Sequence, residues 1–342
     1  MEINMNVKKN ILHPLKMGWY NFQIKYFGAY HFFCKQQKRQ EKTMFEKYYA
    51  INDDTLEPCI VHTCNGFTWS GGLADRLKGI VSVFEWCKKH NRPFKINFCE
   101  PFKLQDYLVP NLYDWSPDSV SYRGNNVQPK ICLREPRTDK YLHSQWDTLF
   151  PQWMMDNVRD ESKQYHVYTN MFLSDFHFSD SFNELFKPCD RLQKEIGYHL
   201  SKIEGNYISI SFRFTTLLGD FTDCTGKPLP LDKREKLIKD SLEAISEIAK
   251  KAPKHDKILV TADSCTFLEH VKNLENVYII PGKIGHIDYD HGDDVNMKTF
   301  LDFFMISRAE AVYLAKGPGM YNSAFAKTAA MVNGKPFEVY EY

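Results

Sequence analysis

The chain has 342 residues, 43% hydrophobic and 25% charged, the make-up of a folded protein. At roughly 100–200 residues per domain that length suits two domains with a cleft between them. A formal net charge of +1 excludes a global field for nucleic acid or anionic lipid, so any anion site must be local. Nine cysteines with neither a C-x-x-C pair nor zinc-like spacing exclude an evident disulfide framework and fit reduced thiols in a cytoplasmic protein.

In chain order, residues 1–10 lack an apolar stretch of signal-peptide length, and nowhere do about 18 apolar residues run together, which argues against export and a membrane span. Residues 19–33 mix aromatics such as Trp19, Phe22, Tyr26 and Phe32 with Lys25 and His31. They predict an N-terminal helix that packs on the first domain or lies along a membrane surface as a peripheral contact over residues 19–35. Residues 36–47 are polar and charged, the composition of an exposed helix or a linker.

A short strand is predicted at Cys59-Ile60-Val61-His62, then a glycine loop, then a helix in which Leu77, Ile80, Val81, Phe84 and Cys87 keep helical spacing. Pro93 to Phe98 reads as the next strand. Cys59, Cys87, Cys99 and Cys265 read as core. Between about 100 and 200, Pro101, Pro110, Pro117, Pro129, Pro136 and Pro151 interrupt the pattern and predict loops and short helices. From Tyr207 strands and helices alternate: strand 207–214, helix 233–250, strand 257–261, helix 264–273, strand 277–280, helix 296–308, strand 311–315, helix 321–332 and strand 337–341. Such alternation predicts a parallel, doubly wound sheet.

Open sheets of this kind bind ligands at the carboxyl ends of their strands, where Arg213, Asp263 and Lys316-Gly317-Pro318-Gly319 fall. A guanidinium ending an apolar strand calls for an anion such as a phosphate. Gly317 and Gly319 permit close backbone approach, and Tyr321-Asn322-Ser323 is placed to open a helix whose free amides suit a phosphate, or simply to turn and cap it with Ser323. In the N-terminal half Gly71 and Gly72 play the same part. Asp75 can accept a hydroxyl proton or complement the helix dipole, and Arg76 can meet a phosphate. Asp263 and Ser264 can bind a ribose or base edge, or Asp263 can cap the next helix. Residues 286–294, with His286, Asp288, Asp290, His291, Asp293 and Asp294, look like a metal site but read as a solvated loop, and no metal is expected.

Gly71-Gly72-Leu73-Ala74-Asp75-Arg76-Leu77, Ile210-Ser211-Phe212-Arg213, Val260-Thr261-Ala262-Asp263-Ser264, Asp302 to Ala309 and Gly317 to Ser323 resemble, in this order, motifs of a fucosyltransferase superfamily. That superfamily groups protein O-fucosyltransferases with nodulation-type, plant cell-wall and bacterial polysaccharide fucosyltransferases. The resemblance spans roughly residues 65–342 and departs at Ser211, where many members have histidine, and at Gly219-Asp220, which comes late after the arginine.

The resemblance implies an α/β GT-B fold of two Rossmann-like domains with a cleft between them. It also implies an inverting, metal-independent fucosyltransferase that takes GDP-fucose as donor substrate, needs no cofactor, and acts on a glycan acceptor. Residues 1–54 are then an N-terminal helical segment, 55–200 the acceptor-side domain and 201–342 the nucleotide-sugar-binding domain. Arg213 would hold the donor β-phosphate, with Asp75 as base and Gly71, Gly72, Arg76, Asp263, Ser264, Gly317, Gly319 and Ser323 lining the donor. A GT-B transferase for another nucleotide sugar, and a non-catalytic binding module of the same fold, are the rival expectations.

Overall fold

The computed structural model describes residues 5–49, 57–117, 122, 127–133, 145–171, 177–221, 226–290 and 292–342. His291, in the stretch read as a solvated loop, lies outside them. The chain divides into two compact units. The first comprises Met1–Ser70, Lys78–Asn97 and Ser116–Phe176; the second comprises Gly71–Leu77, Phe98–Trp115 and His177–Tyr342.

The first unit opens with helices α1 (Met5–Phe27) and α2 (Ala29–Tyr49), separated at Gly28, whose φ of 84° only glycine adopts freely. Its sheet is built from β1 (Ile60–Cys64), β2 (Phe94–Phe98), β4 (Val127–Cys132) and β5 (Gln164–Thr169), in the order β2-β1-β5-β4. Both β1 and β4 pair with β5 in parallel. Between β1 and β2 runs α3 (Leu73–Lys89), whose Leu77, Ile80, Val81, Phe84 and Cys87 are all buried as their spacing predicts. Gly79 has a packing reason: a Cβ there would sit 2.0 Å from the Thr169 carbonyl oxygen. The helix α4 (Trp146–Asn157) completes the described part of this unit.

Residues 36–47, expected to be exposed helix or linker, instead carry an inner face. Gln37 Oε1 accepts the Leu133 amide at 3.2 Å and Glu41 Oε1 the Ile131 amide at 3.3 Å. Two residues four apart on a helix span about 6 Å, and two residues two apart on a strand about 6.6 Å. The helix therefore closes an otherwise open sheet edge. Below them Met44 and Tyr48 pack with Val127, Ile131, Leu133 and Tyr168.

The second unit holds the two-stranded antiparallel pair β3 (Leu108–Pro110) and β6 (Phe186–Pro188), with α5 (Phe178–Leu185) and α6 (Asp190–Ile203). There follow β7 (Tyr207–Phe212), α7 (Leu231–Lys251), β8 (Lys257–Ala262), α8 (Cys265–Val271), β9 (Val277–Tyr278), α9 (Asp293–Ser307), β10 (Val312–Lys316), α10 (Phe325–Val332) and β11 (Phe337–Glu341). All five strands from β7 to β11 pair in parallel in the order β11-β10-β7-β8-β9. This is the doubly wound sheet expected. Its core centres on Ile208, Ile210, Phe212, Val260 and Phe267. Phe267 is fully buried against Phe212 and Phe214 at 4.7 and 4.9 Å, worth roughly 1.5–3 kcal/mol.

Three further expectations are corrected. Residues 100–200 contain the strands β3 to β6 as well as helices; β5 shows no alternation because it buries all six of Gln164-Tyr165-His166-Val167-Tyr168-Thr169. The last helix begins at Phe325 rather than Tyr321. Cys59 and Cys87 are core, but Cys99, just past the end of β2, and Cys265, the first residue of α8, are exposed.

Candidate functional site

Strand order places a crevice. From β7 the chain winds outward through β8 to β9, then returns to β10 on the other side of β7, so the loops after β7 and β10 diverge. Ligands bind doubly wound sheets at such a switch point. Arg213 is the first residue after β7, and Gly317 the first after β10. The two loops are tied together by the Tyr321 amide, which donates to the Arg213 carbonyl at 3.1 Å.

The guanidinium of Arg213 lies 3.1 Å from Asp263 Oδ2 and over the Phe221 ring at 4.6 Å. Its side chain keeps 20% exposure against 6% for Asp263. Asp263 neither caps α8 nor stands open to a ribose. Its Oδ1 accepts the Phe214 amide and its Oδ2 the Thr215 amide, each at 2.8 Å. Burial pushes its carboxyl upward in pKa, opposed first by Arg213 and then by these amides. Thr215 has a φ of 55°, an uncommon and costly conformation for a β-branched residue. The carboxylate is what holds that turn.

Ser264 is the helix cap: its hydroxyl accepts the Phe267 amide at 3.1 Å and donates to Asp220 Oδ2 at 2.9 Å. Asp220 Oδ2 also accepts the Thr266 amide at 2.8 Å. The Gly219-Asp220 pair, late relative to the family pattern, thus serves the start of α8. Ser211, where many relatives have histidine, pairs with Thr261 at 2.8 Å between neighbouring strands.

Beyond β10, Gly319 has a φ of 78° and a Cβ there would lie 3.9 Å from Leu217 Cδ1, while a Cβ on Gly317 would meet the Tyr342 ring at 2.9 Å. The approach Gly317 permits is to the chain's own C-terminal tyrosine. Ser323 accepts the Phe325 amide at 3.2 Å, two residues before α10 begins.

In the N-terminal glycine turn Gly71 has a φ of 78°, and Asp75 folds back over it, its Oδ2 lying 2.8 Å from where a Cβ would stand. Gly72 accepts the Asp75 and Arg76 amides, both at 3.1 Å. Arg76, expected at a phosphate, is buried and committed. It donates to the Gly71 carbonyl at 2.7 Å, the Glu100 carbonyl at 2.9 Å and Asp288 Oδ1 at 2.6 Å.

The carboxylates of the 286–294 stretch are likewise engaged. Asp288 pairs with Arg76, Asp290 with Lys283 at 2.9 Å, and Asp293 with Arg191 at 2.7 Å and the Tyr107 hydroxyl at 2.7 Å. Among the described residues no group of three or more His, Cys, Asp or Glu is placed to hold a metal. A run of contacts links the two glycine-associated arginines: Arg213 over Phe221, Phe221 against His286 at 6.4 Å, His286 beside Asp288 at 3.9 Å, and Asp288 on Arg76. The turn at 71–76 therefore belongs to the same compact unit as Arg213.

Sequence reasoning missed Thr215 and Phe221 and gave Asp220, noted only as a displaced motif residue, no role. Gly219, at a φ of 86°, was the readable signal that the chain turns there; a strained threonine has none.

No family model and no curated protein matches the sequence. The fold itself is shared with solved GT-B fucosyltransferases, the class expected. NodZ α-1,6-fucosyltransferase soaked with GDP-fucose superposes with a TM-score of 0.54 at 14% identity, over 81% of this chain and 93% of that one. NodZ from Bradyrhizobium gives 0.51 at 14%, over 80% and 93%. NodZ co-crystallised with GDP gives 0.52 at 14%, over 80% and 92%.

Proposed function

We propose that this chain is a glycosyltransferase that moves fucose from GDP-fucose to a hydroxyl of a glycan acceptor, in the synthesis of a surface polysaccharide or glycoconjugate, with inversion and without a required metal ion. The observation that carries the reading is Arg213, a half-buried guanidinium at the switch point between β7 and β10, fixed by Asp263 and Phe221. Its support is the ordered motif set and a fold in common with NodZ structures prepared with GDP-fucose and with GDP.

Departure of the nucleotide leaves charge on a diphosphate, and a preorganised fork donor stabilises that charge as it develops. In this reading Arg213 does so, helped by backbone amides around Gly71, Gly72, Gly317, Gly319 and Ser323. Asp75, in the first turn of α3, takes the acceptor proton as the hydroxyl attacks. Arg76, Asp263 and Ser264 act one step back, holding the loops that carry these contacts. The carboxylates at 288, 290 and 293 are already neutralised by Arg76, Lys283 and Arg191, which supports transfer without a divalent ion.

A panel of nucleotide sugars, incubated with the purified protein and followed by mass spectrometry for slow donor hydrolysis, tests this. GDP-fucose should be consumed fastest, in EDTA as well as without it, and should raise the melting temperature most. Faster consumption of a UDP- or CMP-sugar would replace the donor, and binding without turnover of any donor would replace the enzyme by a binding module.

A further inference from the structure

We infer that the N-terminal helical pair is a peripheral anchor that seats on an anionic lipid surface. Leu15, Trp19, Phe22 and Tyr26 recur at spacings of four, three and four, which gathers them within roughly 60° of the α1 circumference. They are 67, 55, 43 and 62% exposed. Their rings form one continuous strip: Trp19 stacks on Phe22 at 5.5 Å and Phe22 meets Tyr26 at 4.4 Å. A contiguous aromatic strip left in water is costly and marks a binding surface.

Among the described residues, other faces of the pair are engaged. On α1, Tyr20 and Gln23 turn inward, Tyr20 onto the Phe32 ring at 4.9 Å and Gln23 onto Lys35 at 3.2 Å. The inner face of α2 closes the sheet edge through Gln37 and Glu41. The strip makes no such inward contact and stays exposed.

Charge selects the occupant. Residues 1–50 carry nine lysines and arginines against three glutamates, a net of +6, whereas the whole chain is only +1, so residues 51–342 are at −5. Lys25, Lys35, Lys38, Arg39, Lys42 and Lys47 are all exposed. Two copies meeting through this face would bring like charges together. Anionic headgroups attract them, while Trp and Tyr rings settle at headgroup depth. Among the described residues no helix is long and apolar enough to cross a membrane, so the pair would lie on the surface.

The test is flotation of the full chain with vesicles of phosphatidylglycerol and phosphatidylcholine in equal parts, against phosphatidylcholine alone. The protein should float with the anionic vesicles, and added salt should weaken this. The variant Trp19→Ser/Phe22→Ser/Tyr26→Ser and, separately, Lys38→Glu/Arg39→Glu/Lys42→Glu should each lose about ten-fold or more in partitioning, with circular dichroism unchanged. The charge variant alters exposed heads only and so decides the matter even if the aromatic one folds poorly. Absence of flotation with anionic vesicles at low salt overturns the inference. A dimer in analytical ultracentrifugation that the aromatic variant turns into monomer overturns it equally, in favour of a second copy.

Discussion

Asp263 Oδ2 accepts the Thr215 amide at 2.8 Å and lies 3.1 Å from the Arg213 guanidinium, so one oxygen anchors both the strained turn and the cation beside it. Replacing Asp263 by asparagine keeps the shape but sets an NH₂ group against either these two donors or the Phe214 amide. At least one buried amide then goes unpaired, at a cost of about 1–3 kcal/mol. Urea denaturation of Asp263→Asn should show that loss, and donor affinity should fall with it. An unchanged midpoint would mean that the turn at Thr215 holds itself.

Arg213→Lys tests the cation directly. Lysine retains the charge but loses the planar fork and its reach to both Asp263 and a phosphate. Turnover should fall about a hundred- to a thousand-fold, roughly 3–4 kcal/mol of transition-state stabilisation, while the melting temperature moves little. Near-normal turnover in a well-folded variant would remove Arg213 from the reaction.

Arg76 should behave in the opposite way. It spends its donors on the Gly71 and Glu100 carbonyls and on Asp288, a pair whose side chains are 8 and 10% exposed. Arg76→Ala would leave Asp288 buried without its cation, a loss of about 3–5 kcal/mol. Stability in guanidinium chloride should collapse accordingly, and restoring the pair's neutrality with Asp288→Asn should recover part of it. If Arg76→Ala instead unfolds normally but no longer binds GDP, the guanidinium touches the nucleotide after all.

The C-terminal half was legible because buried parallel strands write apolar runs and their helices write a 3.6-residue period, so each predicted element from 207 to 341 overlaps an observed one. At strand ends only position could be read. Arg213, Asp263 and Gly317 were found at the carboxyl edge, yet which of them faces a ligand depends on hydrogen bonds between residues about 50 apart, such as Asp263 with Phe214. In the first unit β5 stayed hidden because Gln164, Tyr165, His166, Tyr168 and Thr169 read as polar or mixed. Their polar atoms are satisfied inside: Tyr48 lies 2.6 Å from His166 Nδ1 and 2.9 Å from the Tyr168 hydroxyl. The edge-closing roles of Gln37 and Glu41 were equally invisible, since a polar residue facing a strand edge looks like one facing water.

His199 supplies a pH test. Its Nδ1 lies 2.6 Å from the Tyr278 hydroxyl, and its ring is buried. Burial holds its pKa below the usual value of 6.5, with Lys298 adding to the effect and Glu195 and Asp302 opposing it. The unfolded chain therefore takes up this proton at a higher pH than the native one. Stability contributed by the neutral ring is complete above about pH 6.5, declines as pH falls toward the lower native pKa, and is gone below it. Urea midpoints measured from about pH 7.5 down to about pH 5 should fall more steeply for the natural chain than for His199→Asn, which can still bond Tyr278 but cannot titrate. Parallel curves for the two proteins would assign the acid sensitivity to other groups and leave His199 a neutral packing residue at both ends of the range.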